Sequence, residues 1–147
     1  MENISKLNAA IYRNAQSIIN SKLIDLNIRS GQHDFLYVIS KNEGISQKEL
    51  SEFLYVGKST TAKAVKNLIE NDYVKRVQDE SDKRIYRLYL TEEGKKVIPK
   101  IESTFLELVA IFSKNLSKEE EEQTVIILKR ILHTISEEKN KINSDID

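Results

Sequence analysis

The side chains best suited to directed polar contacts cluster on one face of a helix predicted in the middle of the chain. At ~100° per residue, roughly a third of the circumference carries Ser59, Thr60, Lys63, Lys66, Asn67 and Glu70. The opposite side carries the apolar residues Ala62, Val65, Leu68 and Ile69. Hydroxyl, ammonium and amide groups bind phosphates and base edges when a helix lies in the major groove of DNA. Because any surface helix has a polar face, this pattern alone leaves DNA contact and simple solvation equally open.

A second group of charges lies in residues 79–94, DESDKRIYRLYLTEEG, where a tight charged turn precedes an alternating strand. Asp82, Lys83 and Arg84 form the charged tip. Arginine suits a phosphate or a narrow, electronegative minor groove, and Asp82 could orient the turn that presents Arg84. The same residue types are ordinary in solvated turns, where an Asp82–Arg84 pair would contribute little stability. The tip is therefore either a DNA contact or a plain hairpin turn.

Enzymatic and metal chemistry find little support in the sequence. Cysteine is absent, which excludes thiol catalysis and disulfides. The only two histidines, His33 and His133, lie far apart along the chain. No glycine-rich phosphate loop and no nucleophile elbow occurs. We therefore predict no enzyme activity, no catalytic residue, no metal ion and no cofactor.

Positive and negative charges are distributed unevenly along the chain. The 147 residues have a formal net charge of zero, which taken alone argues against a nucleic-acid partner. Residues 57–87, however, carry eight Lys/Arg against five Asp/Glu, whereas residues 92–147 carry nine against twelve. A polyanion could dock on the mildly basic middle alone. No apolar run approaches the ~20 residues of a membrane span and no signal-peptide core is present, so we expect a cytoplasmic protein.

Two local patterns predict how the polar helix is held. Ser46 and Glu49 form a capping-box pattern at the start of a short preceding helix. The apolar stripe of that helix is Leu50, Phe53 and Leu54. The turn YVG, ending in Gly57, then leads to the polar helix, predicted over residues 58–72. Two helices joined by a short turn that contains glycine form a helix-turn-helix.

Strands and further helices flank this unit. YVKRVQ and IYRLYLT predict two strands around the charged tip. The second strand would be anchored to the core by Tyr86, Leu88 and Leu90. Thr91 is a good N-cap for a long helix, and Ser117 with Glu120 repeats the capping-box pattern for the last helix. An amphipathic helix over residues 3–26 and a buried helix, HDFLYVISKN, come first. The order of these parts predicts a winged helix-turn-helix.

The same stretches resemble the MarR family of bacterial and archaeal regulators over essentially the whole chain. Six residues match the family's wing signature in order: Asp82, Arg84, Leu88, Leu90, Thr91 and Gly94. Residues 45–76 are similar to the family's helix-turn-helix, which puts Ser59, Thr60 and Lys63 at base-reading positions. Lys63 stands where arginine is common, and lysine lacks the bidentate fork that reads guanine. Asp72 stands where glycine usually ends the second helix, and aspartate tolerates the left-handed backbone needed there.

Together, the patterns and the resemblance imply a mainly α fold with a small β-hairpin (α+β). An N-terminal dimerisation helix (1–30), a winged helix-turn-helix core (31–91) and C-terminal dimerisation helices (92–147) would form a single integrated domain. DNA contacts are expected from Lys58, Ser59, Thr60, Lys63, Lys66, Asp82, Lys83 and Arg84. The resemblance also implies a small aromatic or anionic effector. The candidate pocket residues are polar or aromatic groups near the helix junction: Tyr12, Arg13, His33 and Tyr37. Aromatic residues on helices more often belong to a core, so a packing role for these residues stays open.

Dimerisation is also predicted from the apolar stripes of the first and last two helices, which exceed what one small winged domain could cover. The alternative is a monomer whose tail folds back on its own domain. A homodimer would set two reading helices ~34–36 Å apart, on a pseudo-palindromic operator. We expect a ligand-responsive transcription regulator, a repressor since blocking a promoter needs only occupancy. The alternative is a winged-helix module that binds protein without DNA.

Overall fold

The computed structural model describes residues 1–146, and the side chains of residues 1–144. Within these residues, six helices and a three-stranded antiparallel sheet are formed. The elements are α1 (Ile4–Lys22), α2 (His33–Lys41), β1 (Ile45–Ser46), α3 (Gln47–Phe53), α4 (Lys58–Glu70), β2 (Val74–Gln78), β3 (Tyr86–Leu90), α5 (Glu92–Ser113) and α6 (Lys118–Ile146). The predicted fold class is confirmed. The chain divides into two compact units, one ending at Leu108 and one beginning at Val109. Asp147, in the predicted C-terminal segment, lies outside the described residues.

Two helices are shorter than predicted, because local hydrogen bonds end them early. The first was expected to reach Leu26, but α1 ends at Lys22, and the Leu26 amide instead donates to the Leu23 carbonyl at 3.0 Å in a turn. The polar helix was expected to reach Asp72, but α4 ends at Glu70. Asp72 takes the left-handed backbone, with φ 62°, which confirms that aspartate can replace glycine there.

One hydrophobic core is enclosed by α1 to α5 and the sheet. Its most buried side chains include Leu23, Leu36, Ile39, Leu50, Leu68, Leu88 and Ile101. α2 is buried on most of its sides, as predicted. β1 pairs antiparallel with β3, Ile45 opposite Leu88, and gives the strand order β1-β3-β2. The sequence prediction lacks β1, because a strand of two residues carries no alternation to detect. No helix in the described residues is long and apolar enough to cross a membrane.

Three side chains predicted to face the core are exposed. Phe53 is 58% exposed, because α3 ends at this residue after turning Leu50 inward. Ala62 is exposed, because Thr61 takes the inward position of that turn of α4. Tyr86 is 41% exposed, because it lies at the outer end of β3, where its ring contacts a neighbouring arginine. The wing, which consists of β2, β3 and the turn between them, is therefore anchored to the core by Leu88 and Leu90 of β3.

Candidate nucleic-acid interface

The helix-turn-helix begins at the capping box that the sequence predicts. Ser46 Oγ accepts the Glu49 amide at 3.1 Å, and a Glu49 carboxylate oxygen accepts the Ser46 amide at 3.3 Å. Because Ser46 also belongs to β1, this box ties α3 to the sheet. In the turn after α3, Tyr55 takes the left-handed backbone, with φ 56°. Gly57, with φ −74°, is instead the N-cap of α4.

Two buried hydroxyls fix α4 against α3. Ser51 Oγ donates to Thr61 Oγ1 at 2.6 Å, and Thr61 Oγ1 donates to the Gly57 carbonyl at 3.3 Å. Buried polar groups must be paired, so this contact specifies which side of α4 faces inward. Sequence reasoning missed both residues. The available signal was a hydroxyl at an inward position on each helix.

The outward face of α4 presents the five helix residues predicted to contact DNA. All five side chains are exposed: Lys58, Ser59, Thr60, Lys63 and Lys66. No ion pair within the described residues engages the three lysines. Asn67, on the edge of this face, is half-buried, and its amide donates to Gln32 at 3.3 Å. The face thus offers hydroxyls and unneutralised ammonium groups to an external anion.

At the wing tip, Asp82 and Arg84 pair with each other. Asp82 Oδ1 accepts the Arg84 backbone amide and Nε, each at 3.0 Å, and Oδ2 accepts Nη2 at 2.9 Å. The bond from the Arg84 guanidinium, with help from the Arg84 amide, holds the pKa of Asp82 below its usual value. The Arg84 side chain is still 89% exposed, and Lys83 beside it is exposed. The pairing therefore points Arg84 outward without burying it.

A second arginine, Arg87, braces the hairpin. Its Nε donates to Asp79 Oδ1 at 2.8 Å, and its Nη1 donates to the Gly44 carbonyl at 3.0 Å. Asp79 Oδ2 accepts the amides of Ser81 and Asp82, at 3.1 and 2.9 Å. The Arg87 bond is the main cause that holds the pKa of Asp79 below its usual value. Sequence reasoning missed this brace, although opposite charges at the two ends of a predicted hairpin could have indicated it.

The end of the wing nearest the core is tied to the end of α4. Thr91 Oγ1 accepts the Gly94 amide at 3.0 Å, as the predicted N-cap requires, and donates to the Asp72 carbonyl. The Thr91 amide donates to the Tyr73 carbonyl at 3.1 Å. Gly94 approaches so closely that a Cβ there would lie 2.1 Å from the Tyr73 carbonyl oxygen. These contacts fix the wing and the start of α5 relative to α4.

The four predicted effector residues occupy different environments. Tyr12 and Arg13 are exposed on α1. His33 is only 3% exposed, its Nδ1 is buried without a partner among the described residues, and burial lowers its pKa. Tyr37 is half-buried with its ring centroid 5.3 Å from that of Phe105. None of the contacts described here joins two of the four, so a shared pocket stays a prediction.

A short helix, a turn, an exposed polar helix and a braced hairpin define a winged helix-turn-helix protein, a DNA-binding class. The MarR family model matches residues 24–85. An uncharacterized HTH-type transcriptional regulator of Bacillus subtilis (strain 168), YybA, is 32% identical over 135 residues, covering 92% of this chain and 90% of the relative. The chain belongs to the MarR family.

Solved structures of similar proteins share nearly the whole fold. The transcriptional regulator SlyA matches with a TM-score of 0.87 and 32% identity over 93% of this chain and 96% of that one. A MarR family transcriptional regulator from Listeria monocytogenes, complexed with a 26mer DNA, matches with a TM-score of 0.85 and 28% identity over 94% and 92%. Both cover more than 90% of this chain, so the matches extend well beyond the winged unit.

Proposed function

We propose that this protein is a homodimeric transcription regulator that binds a pseudo-palindromic DNA operator through α4 and the wing. The observation that carries the proposal is the outward face of α4, whose unneutralised lysines and hydroxyls are presented while Thr61 anchors the opposite side. Such groups contact phosphates and base edges in a major groove. The Listeria protein solved with a 26mer DNA supports the same partner. We assign the contacts to Lys58, Ser59, Thr60, Lys63, Lys66, Asp82, Lys83 and Arg84.

Homodimerisation is supported by apolar side chains exposed on the terminal helices. In the first unit they lie on α1, at Ile4, Leu7 and Ile11. In the second unit they lie on α6, at Val125, Ile126, Ile127, Leu128, Leu132 and Ile135. Contiguous exposed apolar surface marks an interaction site. Residues 1–30 and 92–147 would then dimerise, while residues 31–91 bind DNA. In an isologous dimer bound to DNA, the two α4 helices would lie ~34–36 Å apart, one turn of the duplex.

Repression is the simplest mode of regulation, because occupancy of a promoter is sufficient. A small aromatic or anionic effector would be held near Tyr12, Arg13, His33 and Tyr37. It releases DNA only if it binds more tightly to a dimer whose two α4 helices no longer fit one duplex. We propose that the protein is not an enzyme and that it acts in the cytoplasm of a bacterium or archaeon.

Selection of bound duplexes from random DNA tests the proposal, and it yields the operator with its half-site spacing. On that operator, Thr60→Ala and Lys63→Ala should relax preference at individual bases by about 1–3 kcal/mol. Lys75→Ala, at an exposed lysine of β2 that is not assigned to DNA, makes the same charge change as Lys63→Ala and should leave the preference intact. Binding should weaken with salt at a log–log slope of about −0.9 per phosphate contacted, which a protein partner held by an apolar face would not show.

Failure to enrich any sequence, or indifference of binding to both α4 variants, would refute DNA reading by α4. Sedimentation as a monomer at micromolar concentration would refute the dimer.

A further inference from the structure

Strand β2 of the wing carries a cation whose partners are neutral. Arg76, on β2, places Nη1 3.3 Å from the side-chain oxygen of Gln47, the first residue of α3. The guanidinium carbon lies 4.8 Å from the centre of the Tyr86 ring, at the start of β3. An aromatic face and an amide oxygen fix the direction of the guanidinium without neutralising its charge.

Arg76 differs in this respect from the other arginines of the hairpin. Arg84 and Arg87 each donate to a carboxylate. No ion pair in the described part of the chain includes Arg76. A guanidinium has five N–H donors in a planar fork that matches a phosphate. Because Arg76 is already oriented, it loses little side-chain entropy when an anion binds.

The cleft around Arg76 contains charges of both signs. Arg76 lines a cleft of about 610 Å³ between the start of α3 and the wing. Lys48 and Arg84 line the same cleft, as do Glu49 and Glu52. The Glu49 carboxylate accepts the Ser46 amide in the capping box of α3, which fixes its direction but leaves its charge, and the Arg84 guanidinium is paired with Asp82. Arg76 and Lys48 are therefore the two cations of this cleft that form no ion pair within the described residues.

The location of the cleft matches the path of a DNA backbone. When the second helix of a helix-turn-helix lies in the major groove, the first helix crosses the backbone. That first helix is α3, and its start forms one wall of the cleft. We propose that Arg76, oriented by Gln47 and Tyr86 and assisted by Lys48, seats one phosphate of the DNA backbone between the groove read by α4 and the wing. The proposal rests on DNA binding as the function of the protein.

The test measures the affinity of the full-length dimer for its selected operator and for a scrambled duplex, by fluorescence anisotropy over a range of KCl concentrations. Arg76→Met should weaken binding to both duplexes by the same factor, about tenfold. It should also reduce the log–log salt slope by about 0.9, the value for one phosphate. Arg76→Lys keeps the charge and should restore most of the slope but only part of the affinity. Lys75→Met, an adjacent exposed lysine on β2, should leave the slope unchanged.

The possible outcomes test the phosphate contact at Arg76 separately from DNA binding by the protein. If Arg76→Met binds with unchanged affinity and an unchanged salt slope while Lys63→Ala loses base preference, the proposed phosphate contact at Arg76 is wrong. DNA reading by α4 is then still supported. If neither variant changes DNA binding, the proposed function fails as well. A titration with inorganic phosphate, followed by the NMR signal of Arg76 Nε, distinguishes a free anion from a backbone phosphate. Saturation by phosphate with no effect of Arg76→Met on DNA would overturn the proposal in favour of a small-anion site. If Arg76→Met does not fold, an Arg76→Lys variant with full affinity and unchanged slope overturns it equally.

Discussion

Replacing Gly94 by alanine tests whether the start of α5 is held against the end of α4 by close backbone approach. Gly94 lies in the first turn of α5, where alanine ordinarily stabilises a helix by up to ~1 kcal/mol over glycine. Here the new Cβ would lie 2.1 Å from the Tyr73 carbonyl oxygen and 3.1 Å from its carbon. Comfortable contacts between such atoms need ~3.5 Å. The backbone must therefore shift by about 1 Å, since the obstacle is main chain and cannot rotate away.

We expect Gly94→Ala to destabilise the protein, although helix propensity alone predicts the opposite. Forcing an extra carbon into a packed contact costs about 1–3 kcal/mol. The Tyr73 carbonyl also accepts the Thr91 amide at 3.1 Å, so a shift that relieves the clash weakens that hydrogen bond. A net loss of about 2 kcal/mol corresponds to a decrease in Tm of about 4–8 °C for a chain near this length. The change acts on the contact that fixes the wing, so operator affinity should fall with stability.

Thermal unfolding followed by circular dichroism, at fixed protein concentration, measures the effect. Gly57→Ala is the matched control, because no atom lies within 4 Å of a Cβ built there. That control should cost under about 1 kcal/mol, the difference between glycine and alanine as N-caps. A Gly94→Ala protein as stable as the parent, or more stable, would show that the contact with Tyr73 is not rigid and would refute the reasoning.

Three further changes test one buried group of α2, Asp34, and two contacts that support the site. Ser51→Ala removes the donor to Thr61 between α3 and α4, and it should lower the free energy of unfolding in urea by about 1–2 kcal/mol. Burial raises the pKa of Asp34 to about 6, above the ~3.9 of an unfolded chain. The contribution of Asp34 to the free energy of unfolding is therefore full below pH ~4 and is lost as the pH rises towards 6. Asp34→Asn should abolish this pH dependence and raise the free energy of unfolding at pH 7 by about 1–3 kcal/mol. Arg87 lowers the pKa of Asp79, so the wing brace is present above pH ~4 and lost as the pH falls through the lowered value. Arg87→Met should accelerate amide exchange at the wing tip at neutral pH, and equal exchange rates would contradict the brace.

Features set by neighbours in sequence could be predicted, and those set by distant contacts could not. The capping boxes at Ser46 and Ser117 and the N-cap at Thr91 are complete within four residues, and the structure contains all three. The alternation of β3 and the order of elements likewise identified the wing. In contrast, Ala62 was placed inward because its type is apolar, while the buried position belongs to Thr61. A threonine can occupy that position only because a hydroxyl on another helix pairs with it, which no single-helix pattern reveals.

The same limit applies to Arg76, whose orientation cannot be predicted from its neighbours in sequence. Its sequence neighbours say only that it follows a lysine on a short strand, and Tyr86 was expected to point into the core. The relevant contacts span 29 residues to Gln47 and the whole hairpin to Tyr86, so they exist only once the sheet is formed. A strand near its end carries side chains beyond the core, and there an aromatic ring can support a cation instead of packing inward.

The three arginines of the wing also differ in what an incoming phosphate must displace. Arg84 can bind a phosphate only in competition with Asp82, whose carboxylate accepts two hydrogen bonds from the Arg84 guanidinium. Arg87 is committed to Asp79 and to a carbonyl. Arg76 faces a ring and an amide, and neither is left as an unpaired charge when a phosphate arrives. Local pairing, and not composition, therefore decides how much positive charge reaches the DNA. A chain with a formal net charge of zero can therefore still present unpaired cations to a polyanion on one part of its surface.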